Sequence, residues 1–273
     1  MRVLVVGGSG ALGRDLTRAL ALEGHSVKVA ARRRPPAEAD PSAEWARLDL
    51  VTGEGLREAV EGAAVVVHLA SDPRRPELVD VAGTARLVDE ARAARVSHFI
   101  YVSIVGVDAI PLRYYRCKLA AELSVAGAGL PFSILRTTQF HGYLARMLSR
   151  LAGLVPLVMP VPAGFRIQSI ATADVAGRML RAVADGPAGR LSDLGGPEVL
   201  GFAEAARLWR DARGVHKRVW SFPTFGRLAA AFRAGRNTVL GEPRGRVTFG
   251  EWLESSGAPQ RADARGRVAV RID

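Results

Sequence analysis

The stretch VVGGSGALG, Val5 to Gly13, sets Gly7, Gly10 and Gly13 in the spacing G-x-x-G-x-x-G. Before it runs RVLVV (Arg2 to Val6), a short apolar run ended by glycines, which reads as a buried strand. After it, ALGRDLTRALALEG puts Leu12, Leu16, Ala19, Leu20 and Glu23 at helical intervals, with Gly24 as a stop signal. A tight turn needs residues without a Cβ, and the helix that follows opens with its N-terminus facing that turn.

The alternation continues. SVKVAA (Ser26 to Ala31) predicts a second strand and AEWARLDL a short third one. TGEGLREAVEG reads as a helix capped near Thr52 and ended by Gly62. AVVVHLA (Ala64 to Ala70) is a continuous apolar run of the kind found in strands buried on both faces. One long helix follows, with Leu78, Val81, Ala85, Val88 and Ala91 on one side. HFIYVSI (His98 to Ile104) is the fifth strand, Leu112 to Gly127 the next helix, and PFSILR (Pro131 to Arg136) the sixth strand. Repeated strand–helix alternation with short connections predicts an α/β fold: a doubly wound parallel sheet of Rossmann type. Beyond Arg136 the pattern loosens into helical stretches near Tyr143 to Leu151, Thr172 to Ala184 and Gly201 to Ala212, with strand-like FRIQSIA and GRLSDLGG between them. The expected organisation is a core over residues 1–140, a smaller C-terminal substrate-binding portion packed on it over 141–254, and a mobile tail over 255–273.

Composition narrows the functional classes. Nearly half of the 273 residues are hydrophobic and about a quarter charged, the balance of a soluble globular protein. The apolar run at the N-terminus is too short for a signal peptide, and the prolines of LAGLVPLVMPVPAG (Leu151 to Gly164) argue against a membrane span. The single cysteine, Cys117, fits a reducing compartment, and a cytoplasmic location is expected. The net charge of +11 raises nucleic-acid binding, but all except three of the 38 basic residues are arginines scattered through the chain, without a groove-reading helix or RNA-binding signature. His25, His68, His98 and His216 show no ligand spacing, so no metal site is predicted.

With strand and helix on either side, the glycine turn has the context that a dinucleotide-binding motif requires. The backbone of Gly7, Gly10, Ala11, Leu12 and Gly13 is then the cradle for a pyrophosphate. An acid at the end of the second strand would bind the ribose hydroxyls of NAD. The chain instead offers VAARRR (Val29 to Arg34), so Arg32 and Arg33 are candidate ligands of a 2′-phosphate. NADP(H) is therefore expected ahead of NAD(H). Asp49, next to Leu50 after the third strand, either accepts from the adenine amino group or caps the following turn.

Together GGSGALG, RLDL, VVVHLAS, YVSIVGVD, YYRCKLAAE, LRTTQFH, GGPE and TFGEWL run in the order found in a known family. The chain resembles the short-chain dehydrogenase/reductases, specifically their atypical, NmrA-like NAD(P)-binding branch. The resemblance implies a Rossmann fold, a bound NAD(P)(H) and a serine–tyrosine–lysine catalytic set: Ser103, Tyr114 and Lys118 by position. It also implies that Ala70 and Ser71 lie against the cofactor and that Thr137, Thr138, Gln139 and Phe140 flank the nicotinamide. Ser103 lies only 11 residues before Tyr114, so the loop between them is short. The branch includes members that bind dinucleotide without turning over substrate.

The chemistry of the pair is straightforward. A free tyrosine has a pKa of about 10, and a cationic lysine nearby lowers it by stabilising the phenolate. Residues four apart on a helix share a face, so Lys118 can meet Tyr114. Tyr114 would donate a proton as hydride arrives, with Ser103 orienting the substrate. Tyr115 is the weaker candidate for the acid, and Cys117 is either a thiol activated by Arg116 and Lys118 or a small buried residue. His141, Gln139 and Gln168 are candidate pocket contacts. The apolar segments PLVMPVPAGF and FPTFGRLAAAF are expected as loops lining a substrate cleft. The leading expectation is an NADPH-dependent oxidoreductase acting on a carbonyl, quinone or similar small apolar acceptor. The alternative is a non-catalytic NAD(P)-sensing regulatory or scaffold protein; a cofactor-using epimerase is third. Oligomeric state is left open.

Overall fold

A computed structural model of the protein describes residues 1–33, 43–239, 241–242 and 244–256. Arg34 and most of the expected tail, from residue 257 on, lie outside the described residues. The chain divides into two compact units, the first made of Met1–Thr137 with Thr172–Asp193 and the second of Thr138–Ala171 with the chain from Leu194 onward.

The first unit is built on six strands in sequence: β1 (Arg2–Val6), β2 (Ser26–Ala31), β3 (Glu44–Arg47), β4 (Val65–His68), β5 (His98–Ile104) and β6 (Phe132–Thr137). Helices α1 (Ala11–Leu22), α2 (Leu56–Val60), α3 (Thr84–Ala93) and α4 (Arg113–Ala126) connect them. The second unit contributes β7 (Gln139–Phe140), α5 (His141–Ala152), β8 (Val158–Pro162), β9 (Arg166–Ile167) and β10 (Ser169–Ile170). The chain then returns to the first unit with α6 (Thr172–Asp185) and the short β11 (Gly189–Arg190). Residues 172–193, which the linear division placed in the C-terminal portion, thus belong with the sheet: α6 packs on α1, and β11 pairs with β6.

All neighbouring strands run parallel in the order β11-β6-β5-β4-β1-β2-β3. The order reverses direction between β1 and β4, the switch point at which open α/β sheets bind ligands. The four residues of β4 and the last four of β1 are fully enclosed, which is why both read as unbroken apolar runs. Leu4, Val66, Leu87, Phe99 and Ala121 meet in the core under α3 and α4.

Several local expectations shift. Helix α2 starts after Gly55 (φ +76°) rather than near Thr52, whose hydroxyl instead accepts from Glu54 N–H at 3.3 Å within a turn. The single helix expected across Leu78 to Ala91 opens as a π-helical turn, Glu77–Gly83, before continuing as α3. In the second unit FRIQSIA splits at Gln168 into β9, antiparallel to β12 (Leu200–Gly201), and β10. The two apolar segments expected as loops are partly regular. PLVMPVPAGF holds β8, parallel to β13 (Arg218–Phe222), and FPTFGRLAAAF holds α8 (Gly226–Arg233). The core of this unit gathers Leu144, Leu148, Met159, Ala205, Trp209 and Phe249 from α5, β8, α7 (Phe202–Ala212) and α9 (Phe249–Ser255).

Candidate functional site

A cleft of about 240 Å³ lies in the first unit, beside the C-terminal ends of β1, β2 and β4. Of the residues named from sequence, Gly7, Gly10, Arg32, Asp49, Leu50, Ala70 and Ser71 line it. The glycines are dictated sterically. Gly7 has φ +85°, and a Cβ there would lie 2.7 Å from the Ala70 nitrogen; a Cβ on Gly13 would lie 2.4 Å from Gly8 Cα. Gly13 therefore seats α1 against the turn rather than facing the cleft. Leu12 is buried and Ala11 exposed in the first turn of α1.

Gly10 is the N-cap of α1 and offers no side-chain cap, so the helix opens at the cleft without one. Arg32 and Arg33 are both exposed, Arg32 on the cleft wall. Asp49 caps its own turn, since Oδ1 accepts from Val51 N–H at 2.8 Å. The glycine cradle, the uncapped helix terminus and the arginine fit a nicotinamide adenine dinucleotide. Ser9 and Asp72 also line the cleft, and sequence reasoning had not named them.

Ser71 connects the cleft to α4. Its hydroxyl donates to Asp80 Oδ1 at 2.6 Å and is hydrogen-bonded to the Tyr114 hydroxyl at 2.7 Å. Asp80 is wholly enclosed in the π-helical turn, and its Oδ2 accepts from Asp72 N–H at 3.2 Å. Lys118 is buried; its ammonium donates to the Val102 carbonyl at 2.8 Å, stands 3.7 Å from Asp80 Oδ1 and lies 4.2 Å above the Tyr101 ring. A route from Tyr114 toward Lys118 thus runs through hydrogen bonds to Ser71 and Asp80 and ends in an ion pair. Burial brings the Lys118 pKa down to about 8, against the opposing pull of Asp80 and Glu122.

Ser103 is 1 % exposed, and its hydroxyl has no hydrogen-bond partner among the described residues. Ser71, not Ser103, is the serine in contact with Tyr114. Tyr115 is buried packing. Cys117 is buried too, and burial with the nearby Glu77 carboxylate pushes its thiol up, opposite to the activation that Arg116 and Lys118 suggested.

Arg136, unremarked in the sequence, is buried at the end of β6. It forks onto Glu122 of α4 (2.8 and 2.7 Å) and reaches Asp108 at 2.9 Å, tying the loop after β5 to the helix that carries Tyr114. Thr137 is buried beside it, its carbonyl accepting from Val105 N–H.

Thr138, Gln139 and Phe140 belong to the second unit. Thr138 Oγ1 accepts from Gly196 N–H at 3.2 Å, while Gln139 and Phe140 form β7 against β10. The Gln168 amide is consumed structurally, donating to the Gly196 carbonyl and accepting from Val239 N–H. His141 is bonded to Ser169 and the Val247 carbonyl and packs against the stacked Phe249 and Trp252, a structural arrangement. Among the described residues no group of three or more His, Cys, Asp or Glu is placed to hold a metal ion, and no helix is long and apolar enough to cross a membrane.

This fold and cleft define a Rossmann-type dinucleotide-binding protein. The model of the NAD(P)H-binding family matches residues 7–185, and the chain belongs to that family. It is 31 % identical over 151 residues to the photosystem II assembly factor Ycf39 of Cyanophora paradoxa, a match covering 51 % of this chain and 46 % of that protein. It is 36 % identical over 119 residues to sterol demethylase protein B of Methylococcus capsulatus, covering 40 % and 36 %. The matched part thus spans less than half the length of either relative. Among solved structures, a nucleoside-diphosphate-sugar epimerase of Staphylococcus aureus superposes with a TM-score of 0.75 at 18 % identity, over 93 % of this chain and 100 % of that one. A short-chain dehydrogenase/reductase superfamily protein of Agrobacterium tumefaciens with bound NAD gives 0.71 at 20 % identity, over 94 % and 96 %. The structural likeness is one of fold. Family and fold together bear out the NAD(P)-binding Rossmann protein that the resemblance implied.

Proposed function

We propose that the chain is an NADPH-dependent oxidoreductase of NmrA-like type, passing hydride to a carbonyl, quinone or similar small apolar acceptor in a cytoplasmic setting. The observation that carries this reading is the Tyr114 hydroxyl, held 2.7 Å from a serine on the wall of the dinucleotide cleft. Gly7, Gly10 and the first turn of α1 hold the pyrophosphate, and Arg32 faces the 2′-phosphate in the absence of an acid at the end of β2. Bound NADPH supplies the hydride. Tyr114 gives its phenolic proton to the acceptor oxygen, so that a carbonyl gains hydride at carbon and a proton at oxygen and leaves as the alcohol. The buried positive charge of Lys118 lies behind this group and favours loss of that proton. Ser103, enclosed as it is, is not assigned the substrate-orienting role.

A second reading, a dinucleotide-binding assembly or sensor protein, is favoured by the relative named as an assembly factor and by the enclosure of Ser103. One experiment separates the two. The protein and its Tyr114→Phe variant are assayed with NADPH and NADH against quinones and carbonyls, and dinucleotide binding is titrated in parallel. The expected outcome is carbonyl turnover that drops by about 10²–10⁴-fold in Tyr114→Phe with NADPH binding retained. Tight NADPH binding without turnover of any acceptor would favour the sensor reading, and a fully active Tyr114→Phe would remove the assigned proton donor.

A further inference from the structure

The hydrogen bonds at the cleft have a direction. The hydroxyl of Ser71 carries one proton, and that proton is directed to Asp80 Oδ1 at 2.6 Å. Ser71 can therefore meet Tyr114, 2.7 Å away, only as the acceptor, and the phenol must donate. The chain ends at a carboxylate fixed from both sides, by Asp72 N–H on Oδ2 and the Lys118 ammonium on Oδ1. For Tyr114 to become phenolate and still be solvated by Ser71, the serine proton would have to leave Asp80. The gain at one oxygen is offset by a loss of similar kind at the other.

We propose that Ser71 and Asp80 are positioning residues that hold Tyr114 as the neutral phenol, through a one-way hydrogen-bond chain from Tyr114 to Ser71 to Asp80. The catalytic meaning of this arrangement rests on the reading of Tyr114 as proton donor: the acid is kept loaded until an acceptor oxygen competes for its proton. The ionisable groups on the elements that meet here include Glu77 and Asp80 from the π-helical turn, Asp72 from the loop after β4, Tyr101 from β5, and Arg113, Tyr115, Arg116, Cys117, Lys118 and Glu122 from α4. Ser71 is the member that links Tyr114 to the Asp80 carboxylate by hydrogen bonds. It is exposed, so replacing it leaves the core untouched.

The test needs neither cofactor nor acceptor. The full chain is labelled with ¹³C at tyrosine Cζ, and each of its four tyrosines is followed against pH, Tyr114 being assigned by the signal lost in Tyr114→Phe. Ser71→Ala is expected to lower the Tyr114 midpoint by about one pH unit, while Ser71→Thr, which keeps the hydroxyl, leaves it in place. Asp80→Asn is expected to lower it as well, and by clearly less once Ser71 is already Ala. An unchanged or raised midpoint in Ser71→Ala overturns the proposal. So does an Asp80→Asn shift of equal size with and without Ser71, which would mean charge acting through space alone. Should Asp80→Asn not fold, the Ala–Thr comparison at position 71 decides by itself. NADPH turnover, assayed separately, distinguishes the two readings. Loss of the expected shift with turnover intact sinks this inference alone, and a shift without turnover sinks only the oxidoreductase reading.

Discussion

Arg32 stands on the cleft wall at the end of β2, where an acid would bind the ribose hydroxyls of NAD. Its guanidinium is exposed and suited to fork a phosphate. Arg32→Ala is expected to weaken NADPH binding roughly tenfold while leaving NADH nearly unchanged, measured by fluorescence titration of the bound nicotinamide. Equal losses for both dinucleotides would remove the clamp. The place of this residue on the cleft and the need for the glycines were legible because both are local: the end of one strand, and a missing Cβ in the turn beside it. Lys118 was legible only as a residue type. Spacing put it on the Tyr114 face of α4, but its ammonium is drawn inward to Asp80 and the Val102 carbonyl, groups 38 and 16 residues away in sequence. The enclosure of Ser103 was not legible either, since a strand-end position does not reveal how deeply the residue is buried.

At the level of elements, strands read well wherever both faces are buried, as in β1, β4 and β5, because an unbroken apolar run has few other uses in a short segment. The π-helical turn did not read at all. Its i→i+5 bonding leaves the same apolar stripe that an α-helix would, and the sole clue was an acid, Asp80, set between Val79 and Val81. Arg136 is another case of pairing across elements. It joins β6, α4 and the loop after β5, and removing it leaves the Glu122 carboxylate enclosed without its partner. Arg136→Met is expected to cost about 3–5 kcal/mol in urea unfolding, and the double change Arg136→Met with Glu122→Leu distinctly less. A double variant as unstable as the single one would show that the fork itself, rather than the stranded charge, is what stabilises.

The whole molecule should register the enclosed imidazoles of His68 and His98. Burial, with a further push from Lys118, takes the His68 pKa down to about 3, and burial takes His98 to about 4, both below the usual 6.5. The unfolded chain therefore takes up protons first as pH falls, so stability is complete above pH 6.5 and declines from there toward pH 4. The depressed carboxylates, Asp108 beside Arg136 among them, add to the loss only at lower pH. Calorimetry between pH 7 and 4.5 should show the melting temperature fall by roughly 5–10 °C, and His98→Gln should flatten that slope; a flat wild-type profile would contradict the enclosure. The return of the chain at Thr172 also has a bearing on synthesis. The outer edge of β6 is closed by β11, whose two paired residues emerge from the ribosome 56 residues after Ser133 and Ile134. Until then β6 presents an open row of amides and carbonyls, and α1 lacks the cover of α6. The dinucleotide cleft, made wholly from residues before Asp80, is translated early, but the sheet that supports it must wait for the second unit's first segment to pass before its last edge can close.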